Sequence, residues 1–111
     1  MSLESDADTS WQEVANLADV PKLGGRVLVT TSGPIALLRN ESGTIFALDN
    51  RCPHKGGPLA EGYVSGQTVY CPLHNWQIDM QCGEAREPDK GCVRTWPVRV
   101  EGERVFLRLP K

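Results

Sequence analysis

The chain holds two histidines among its 111 residues. It has no basic cluster, and its net charge of -2 is small, which argues against nucleic acid as a main partner. No apolar run approaches the length of a membrane span, so no membrane partner is expected. The first ten residues, MSLESDADTS, are acidic and polar, with neither a basic start nor an apolar leader. They read as a disordered arm over 1–10, on a chain expected to be cytoplasmic. There is no repeat at solenoid period. There is also no glycine-rich dinucleotide fingerprint, and a chain of one domain's length leaves no room for a nucleotide domain. No stretch carries a convincing helical stripe.

What is present is a series of short β-rich segments with Gly-rich turns. GRVLVTT (25–31), IALLRN (35–40) and TIFALDN (44–50) alternate with Ser-Gly-Pro and Glu-Ser-Gly turns and predict a meander. The segment WQEVANLADVP, from Trp11, reads as a turn or short helical piece. Residues 51–66 are dense in Gly and Pro and read as loop. Strands are expected at 67–71 and 75–80, and a closing hairpin from RTWPVRV and RVFLRLP. The fold class is all-β: an antiparallel sandwich or barrel base built from both ends of the chain, carrying a loop-built module over about 51–92.

Both histidines lie beside a cysteine. The pattern is Cys52-x-His54, sixteen intervening residues, then Cys71-x-x-His74. Four cysteines in a reducing compartment lean towards metal chemistry rather than disulfides. For Cys82 and Cys92 the plainer expectation is buried free thiols. Thiolate and imidazole suit soft and borderline metals, and short Cys/His loops let both donors converge from one turn. Gly56 and Gly57 allow close backbone approach, while Pro53, Pro58 and Pro72 restrict the loops. Two metals compete. Two Cys and two His could hold one tetrahedral zinc, as a structural docking module. Alternatively, one Cys and one His per loop serve an asymmetric two-iron cluster, each loop giving one ligand to each iron.

The motifs CPHKGGPL and CPLHNW resemble the signature of the Rieske [2Fe–2S] family, and the strands resemble its β fold over residues 11–110. The resemblance implies one [2Fe–2S] cluster per chain, with Cys52 and Cys71 on one iron and His54 and His74 on the other. It also implies that Gly56, Gly57, Leu73, Asn75 and Trp76 give backbone N–H groups to cluster sulfurs. Pro88 is expected in a third loop over the cluster. Lys55, Leu59 and Trp76 are expected near a docking surface. High-potential members resemble one another in a disulfide whose cysteines would fall at positions 57 and 73; Gly57 and Leu73 stand there instead. A potential in the lower part of the Rieske range, roughly -150 to 0 mV, is therefore expected.

With every histidine committed, no catalytic set is left, and the expected role is a one-electron carrier. The tail PDKGCVRTWPVRVEGERVFL resembles the small subunits of NAD(P)H-dependent nitrite reductase. That resemblance implies a large partner subunit with FAD, an iron–sulfur cluster and sirohaem, reducing nitrite to ammonia. The rival within the family is the ferredoxin that feeds an aromatic-ring dioxygenase. In the iron-free protein, 51–92 is expected to be disordered.

Overall fold

A computed structural model describes residues 9–53, 56–73, 75–86 and 90–110. Three antiparallel sheets organise them. The first has the order β1 (Thr9–Asn16), β10 (Arg104–Pro110), β9 (Val98–Glu101). The second has the order β2 (Gly24–Thr30), β3 (Gly33–Arg39), β4 (Ile45–Asp49), β8 (Thr95–Trp96). The third is β5 (Tyr63–Ser65), β6 (Thr68–Tyr70), β7 (Gln77–Asp79). The first two sheets combine both ends of the chain into the base, and the third lies within the 51–92 module. The expected all-β class and the β2–β3–β4 meander are present.

Strand β3 shows why the base and the module are one body. Ile35, Ala36, Leu37 and Leu38 are all fully buried, a continuous apolar run rather than an alternation. Such a run is expected where both faces of a sheet are covered. Ile35 and Leu37 pack with Val20, Ala47, Val105, Leu107 and Leu109 of the base. Ala36 and Leu38 point the other way and pack with Leu48, Leu59, Val64, Val69, Ile78 and Met80, reaching Cys52 and Cys71. Each large apolar side chain buried this way contributes about 1.5–3 kcal/mol relative to exposure.

Polar ties reinforce the join. Buried Asn40 accepts from the Ser42 and Thr44 N–H groups through Oδ1, at 3.0 and 2.9 Å. Its Nδ2 donates to the Gly66 carbonyl at 2.9 Å, from the base into the module. The root of the first Cys/His loop is fixed by Asn50: its N–H donates to the Pro34 carbonyl at 2.9 Å, and its Oδ1 accepts from Ala60 N–H at 2.8 Å.

The structure corrects four expectations. Residues 9 and 10, placed in the arm, begin β1, and Trp11 to Asn16 continue it opposite β10. Polar residues alternating with half-buried ones along a seven-residue partner strand favour pairing over the turn that the Asp-Val-Pro ending suggested. Only the last part, Leu17–Asp19, forms the short helical turn, capped by Asn16. Within the segment read as loop, Leu59–Glu61 is a helical turn and Tyr63–Ser65 is β5. Leu59 is fully buried, so it belongs to the core and not to a docking surface. Cys82 and Cys92 are free thiols as expected, but both are exposed, because they sit in the turn and loop that follow β7 rather than under a sheet.

Candidate metal centre

The two Cys/His loops are built on one backbone plan. In the first, Cys52 N–H donates to the Gly57 carbonyl at 2.8 Å, and Gly56 N–H donates back to the Cys52 carbonyl at 2.9 Å. In the second, Cys71 N–H donates to the Trp76 carbonyl at 2.8 Å, and Asn75 N–H donates back to the Cys71 carbonyl at 3.1 Å. Each loop thus closes from a cysteine to the fifth residue after it. The fourth residue is left-handed in both, with φ of 72° at Gly56 and 56° at Asn75. Glycine takes that region without strain, and asparagine is among the few other residues that visit it routinely. The Gly in one loop and the Asn in the other are answers to the same steric demand.

Both loop cysteines are buried, at 1% exposure, and neither is in a disulfide. Leu73 N–H donates to Cys71 Sγ at 3.4 Å. Burial pushes the Cys71 thiol up to about 11; the Leu73 N–H opposes this, and neighbouring Cys52 adds to it. Two adjacent buried thiols, one of them resistant to ionisation, make a good latent metal site, since a cation that displaces the protons removes the cost of burying thiolates. Gly57 completes the cradle. A Cβ there would lie 2.8 Å from Cys71 Sγ and 3.1 Å from Leu73 Cγ and Cδ1. The absence of a side chain at 57 is what lets the first loop approach the sulfur of the second.

Of the ten residues expected at the site, Cys52, Cys71, Gly56, Gly57, Leu73, Asn75 and Trp76 are brought together on these two loops. His54, His74 and Pro88 lie outside the described residues, as does Lys55. The N–H groups expected to face cluster sulfurs divide. That of Leu73 meets the Cys71 sulfur, while those of Gly56 and Asn75 are spent on the cysteine carbonyls, so these two residues shape the loops. Trp76 is half-buried and packs against the core cluster of the module.

A residue the sequence reading passed over stands beside the first loop. Arg51 is exposed, directly precedes Cys52, and its side chain runs alongside Gly56. It lines a cleft of about 350 Å³ together with Cys52, Pro53, Asp49, Cys92 and Arg94. A basic residue abutting a ligand motif was the available signal.

Two free, buried cysteines on twinned loops, each loop also carrying a histidine in its sequence, fit an iron–sulfur protein of the mixed Cys/His type. The Rieske [2Fe-2S] domain model matches residues 10–97, and the chain belongs to that family. It is 37% identical over 101 residues to the ferredoxin component of the naphthalene 1,2-dioxygenase system of Pseudomonas putida, covering 89% of this chain and 95% of that one. Among solved structures, one described as an NADH-dependent nitrite reductase small subunit from Mycobacterium tuberculosis superposes with a TM-score of 0.80 at 20% identity, covering 90% of this chain and 95% of that one. The ferredoxin of carbazole 1,9a-dioxygenase from Nocardioides aromaticivorans superposes with a TM-score of 0.78 at 23% identity, covering 92% and 99%. The protein is a Rieske-type electron carrier, and its cofactor is a [2Fe–2S] cluster rather than a single zinc. Among the described residues, no helix is long and apolar enough to cross a membrane.

Proposed function

We propose that this chain is the ferredoxin component of an aromatic-ring dioxygenase system, handing single electrons to the oxygenase. In this reading Cys52 and Cys71 hold one iron, and His54 and His74 hold the other. The bound cluster supplies reversible one-electron chemistry. The chain's own residues do the rest. Gly57 admits the first loop to Cys71, Leu73 N–H supports the charge on the Cys71 sulfur, and the shared core of Leu38, Leu48, Val69 and Ile78 keeps both loops in register.

The observation that carries this reading is the end-to-end likeness to a dioxygenase ferredoxin at 37% identity, over 89% of this chain. The likeness to a nitrite reductase small subunit stands at 20% identity and speaks for the fold alone. The tail that resembled nitrite reductase has structural employment in this chain. Trp96 Nε1 donates to Asp49 Oδ1 at 2.9 Å, the Pro97 carbonyl accepts from Arg108 N–H at 3.2 Å, and Val98–Glu101 pairs with β10. Residues that build the base do not choose a partner.

A second reading, the small subunit of a nitrite reductase, keeps the support of the fold-level likeness. The two separate in one experiment. The reconstituted protein, reduced with dithionite, is mixed in a stopped-flow instrument with either the oxidised oxygenase component of naphthalene 1,2-dioxygenase or a sirohaem-containing nitrite reductase large subunit. Electron transfer to the oxygenase, and none to the sirohaem subunit, is the expected result. The reverse preference overturns the ferredoxin reading.

A further inference from the structure

Among the described residues, the cleft beside Cys52 carries a positive charge that no carboxylate in it balances. Asp49 is its only carboxylate among the described residues, and both oxygens are engaged. Oδ1 accepts from Trp96 Nε1 at 2.9 Å, and Oδ2 lies 3.4 Å from Arg94 Nε. Arg94 is in turn held over the Trp96 ring, 4.2 Å from its centroid. Asp49, Arg94 and Trp96 thus form a closed, neutral unit. Arg51 is left over: one carboxylate against two guanidinium groups leaves one positive charge in the cleft. Among the described residues the Arg51 side chain makes no hydrogen bond or ion pair. It also borders a second cleft, of about 560 Å³, with Ser32, Gly33 and Asn50. Among the described residues Arg51 is therefore an exposed, uncommitted guanidinium on a ridge shared by two hollows, one residue from the buried sulfur of Cys52.

We propose that the Arg51 ridge receives an acidic side chain, Asp or Glu, of the protein that exchanges electrons with this chain. A guanidinium takes a carboxylate through two parallel hydrogen bonds, which sets orientation as well as attraction. On a chain of net charge -2, an acidic partner is repelled overall and needs a local positive point to dock by. Among the described residues, the ridge supplies a local positive point beside the metal loops. The proposal rests on the electron-carrier reading above and adds the chemistry of the partner's contact.

The test uses holoprotein and two protein oxidants of opposite charge, acidic plastocyanin and basic cytochrome c. In each reaction one electron leaves the reduced protein and reduces Cu(II) to Cu(I) or ferric haem to ferrous, with no bond made or broken. Arg51→Glu and the milder Arg51→Gln are compared with Lys22→Glu. Lys22 is exposed and adjoins Leu23, whose N–H donates to Arg39, at the far end of β3 from the loops. The expected result is a fall of about fivefold in the ratio of plastocyanin to cytochrome c rates for Arg51→Glu, about twofold for Arg51→Gln, and less for Lys22→Glu. A ratio that is unchanged in the Arg51 variants, or that moves equally in Lys22→Glu, overturns the proposal.

A second measurement does not involve redox turnover. Cys92 is exposed and lines the same cleft. In a Cys82→Ser holoprotein, the Cys92 thiolate attacks an aromatic disulfide and releases one aryl thiolate. The ratio of rates with anionic dithiobis(nitrobenzoate) and neutral dithiodipyridine is expected to fall in Arg51→Gln. A constant ratio counts against a positive cleft. If neither the oxygenase component nor the sirohaem subunit is reduced, the functional reading fails while these two ratios still judge the ridge.

Discussion

Gly57 and Cys71 are in contact across the two metal loops: a Cβ added at 57 would lie 2.8 Å from the Cys71 sulfur. The nearest neighbours besides that sulfur are Cγ and Cδ1 of Leu73, both at 3.1 Å. Neither the buried ligand nor the loop that carries it can yield freely. Gly57→Ala should therefore destabilise the holoprotein by about 1–3 kcal/mol, the usual cost of overpacking. Iron retention should fall with it. Chemical denaturation followed in the visible band, together with iron per chain after gel filtration, checks both. Wild-type values for both would mean that the loops are looser than their hydrogen bonds imply.

The same contact bears on the reduction potential. Positions 57 and 73 face one another closely enough for a cross-loop bond, but Gly57 and Leu73 supply no sulfur. Among the described residues, the second loop gives Cys71 one N–H donor, from Leu73, at 3.4 Å. Sparse hydrogen bonding to sulfur leaves the oxidised state relatively favoured. A midpoint of roughly -150 to 0 mV is expected. Redox titration monitored by electron paramagnetic resonance measures it, and a value well above 0 mV defeats the argument.

Asn75 occupies the left-handed position that Gly56 holds in the twin loop, with φ of 56°. Asn75→Gly should be tolerated within about 1 kcal/mol, whereas Asn75→Val should cost roughly 1–2 kcal/mol, because a β-branched residue is strained there. Thermal melts of the two variants give the comparison, and equal melts would remove the steric explanation of the asparagine.

Much of this molecule was legible in its sequence, and the reason is local. Turn chemistry at Ser32-Gly33-Pro34 and Glu41-Ser42-Gly43 marks the β2–β3–β4 meander without help from elsewhere. The Cys/His spacing marks the metal loops for the same reason. The misses are all long-range. β1 is a strand because β10, at the other end of the chain, pairs with it. Leu59 in a Gly/Pro-rich stretch is core because β3 presents Ala36 and Leu38 to it. The matching hydrogen-bond plan of the two loops appears only when the carbonyl partners are seen, since one loop uses Gly and the other Asn. Arg51 stands out only because Asp49, Arg94 and Trp96 satisfy one another.

Asn40 should prove costly to replace despite its distance from the metal. It makes three hydrogen bonds with its side chain while 6% exposed, one of them the tie to Gly66 in the module. Asn40→Ala removes three hydrogen bonds made by a buried side chain and should cost about 2–3 kcal/mol. Urea denaturation measures it. Asn40→Asp keeps the two accepted bonds and loses the donated one, so it should fall between the wild type and Ala. An Ala variant as stable as the wild type would show that the tie adds nothing to the shared core.

Removal of iron should divide the module rather than dissolve it. The sequence alone suggested that 51–92 depends on the metal throughout. The structure separates two kinds of order within that segment. Val64, Val69, Ile78 and Met80 are buried at 2% exposure or less and pack in one cluster with Ala36, Leu38 and Leu48 of the base. Each contributes about 1.5–3 kcal/mol of apolar burial that owes nothing to iron. Among the described residues, the loops around Cys52 and Cys71 bury less apolar surface than these strands and close mainly through their own backbone hydrogen bonds. Hydrogen exchange on protein stripped anaerobically with a chelator should therefore show protection retained at β5, β6 and β7. Protection should be lost by tenfold or more, about 1.4 kcal/mol of local opening, at the Gly56 and Asn75 amides that close the two loops. Uniform loss across the third sheet would mean that ligation, and not the shared core, holds the module to its base.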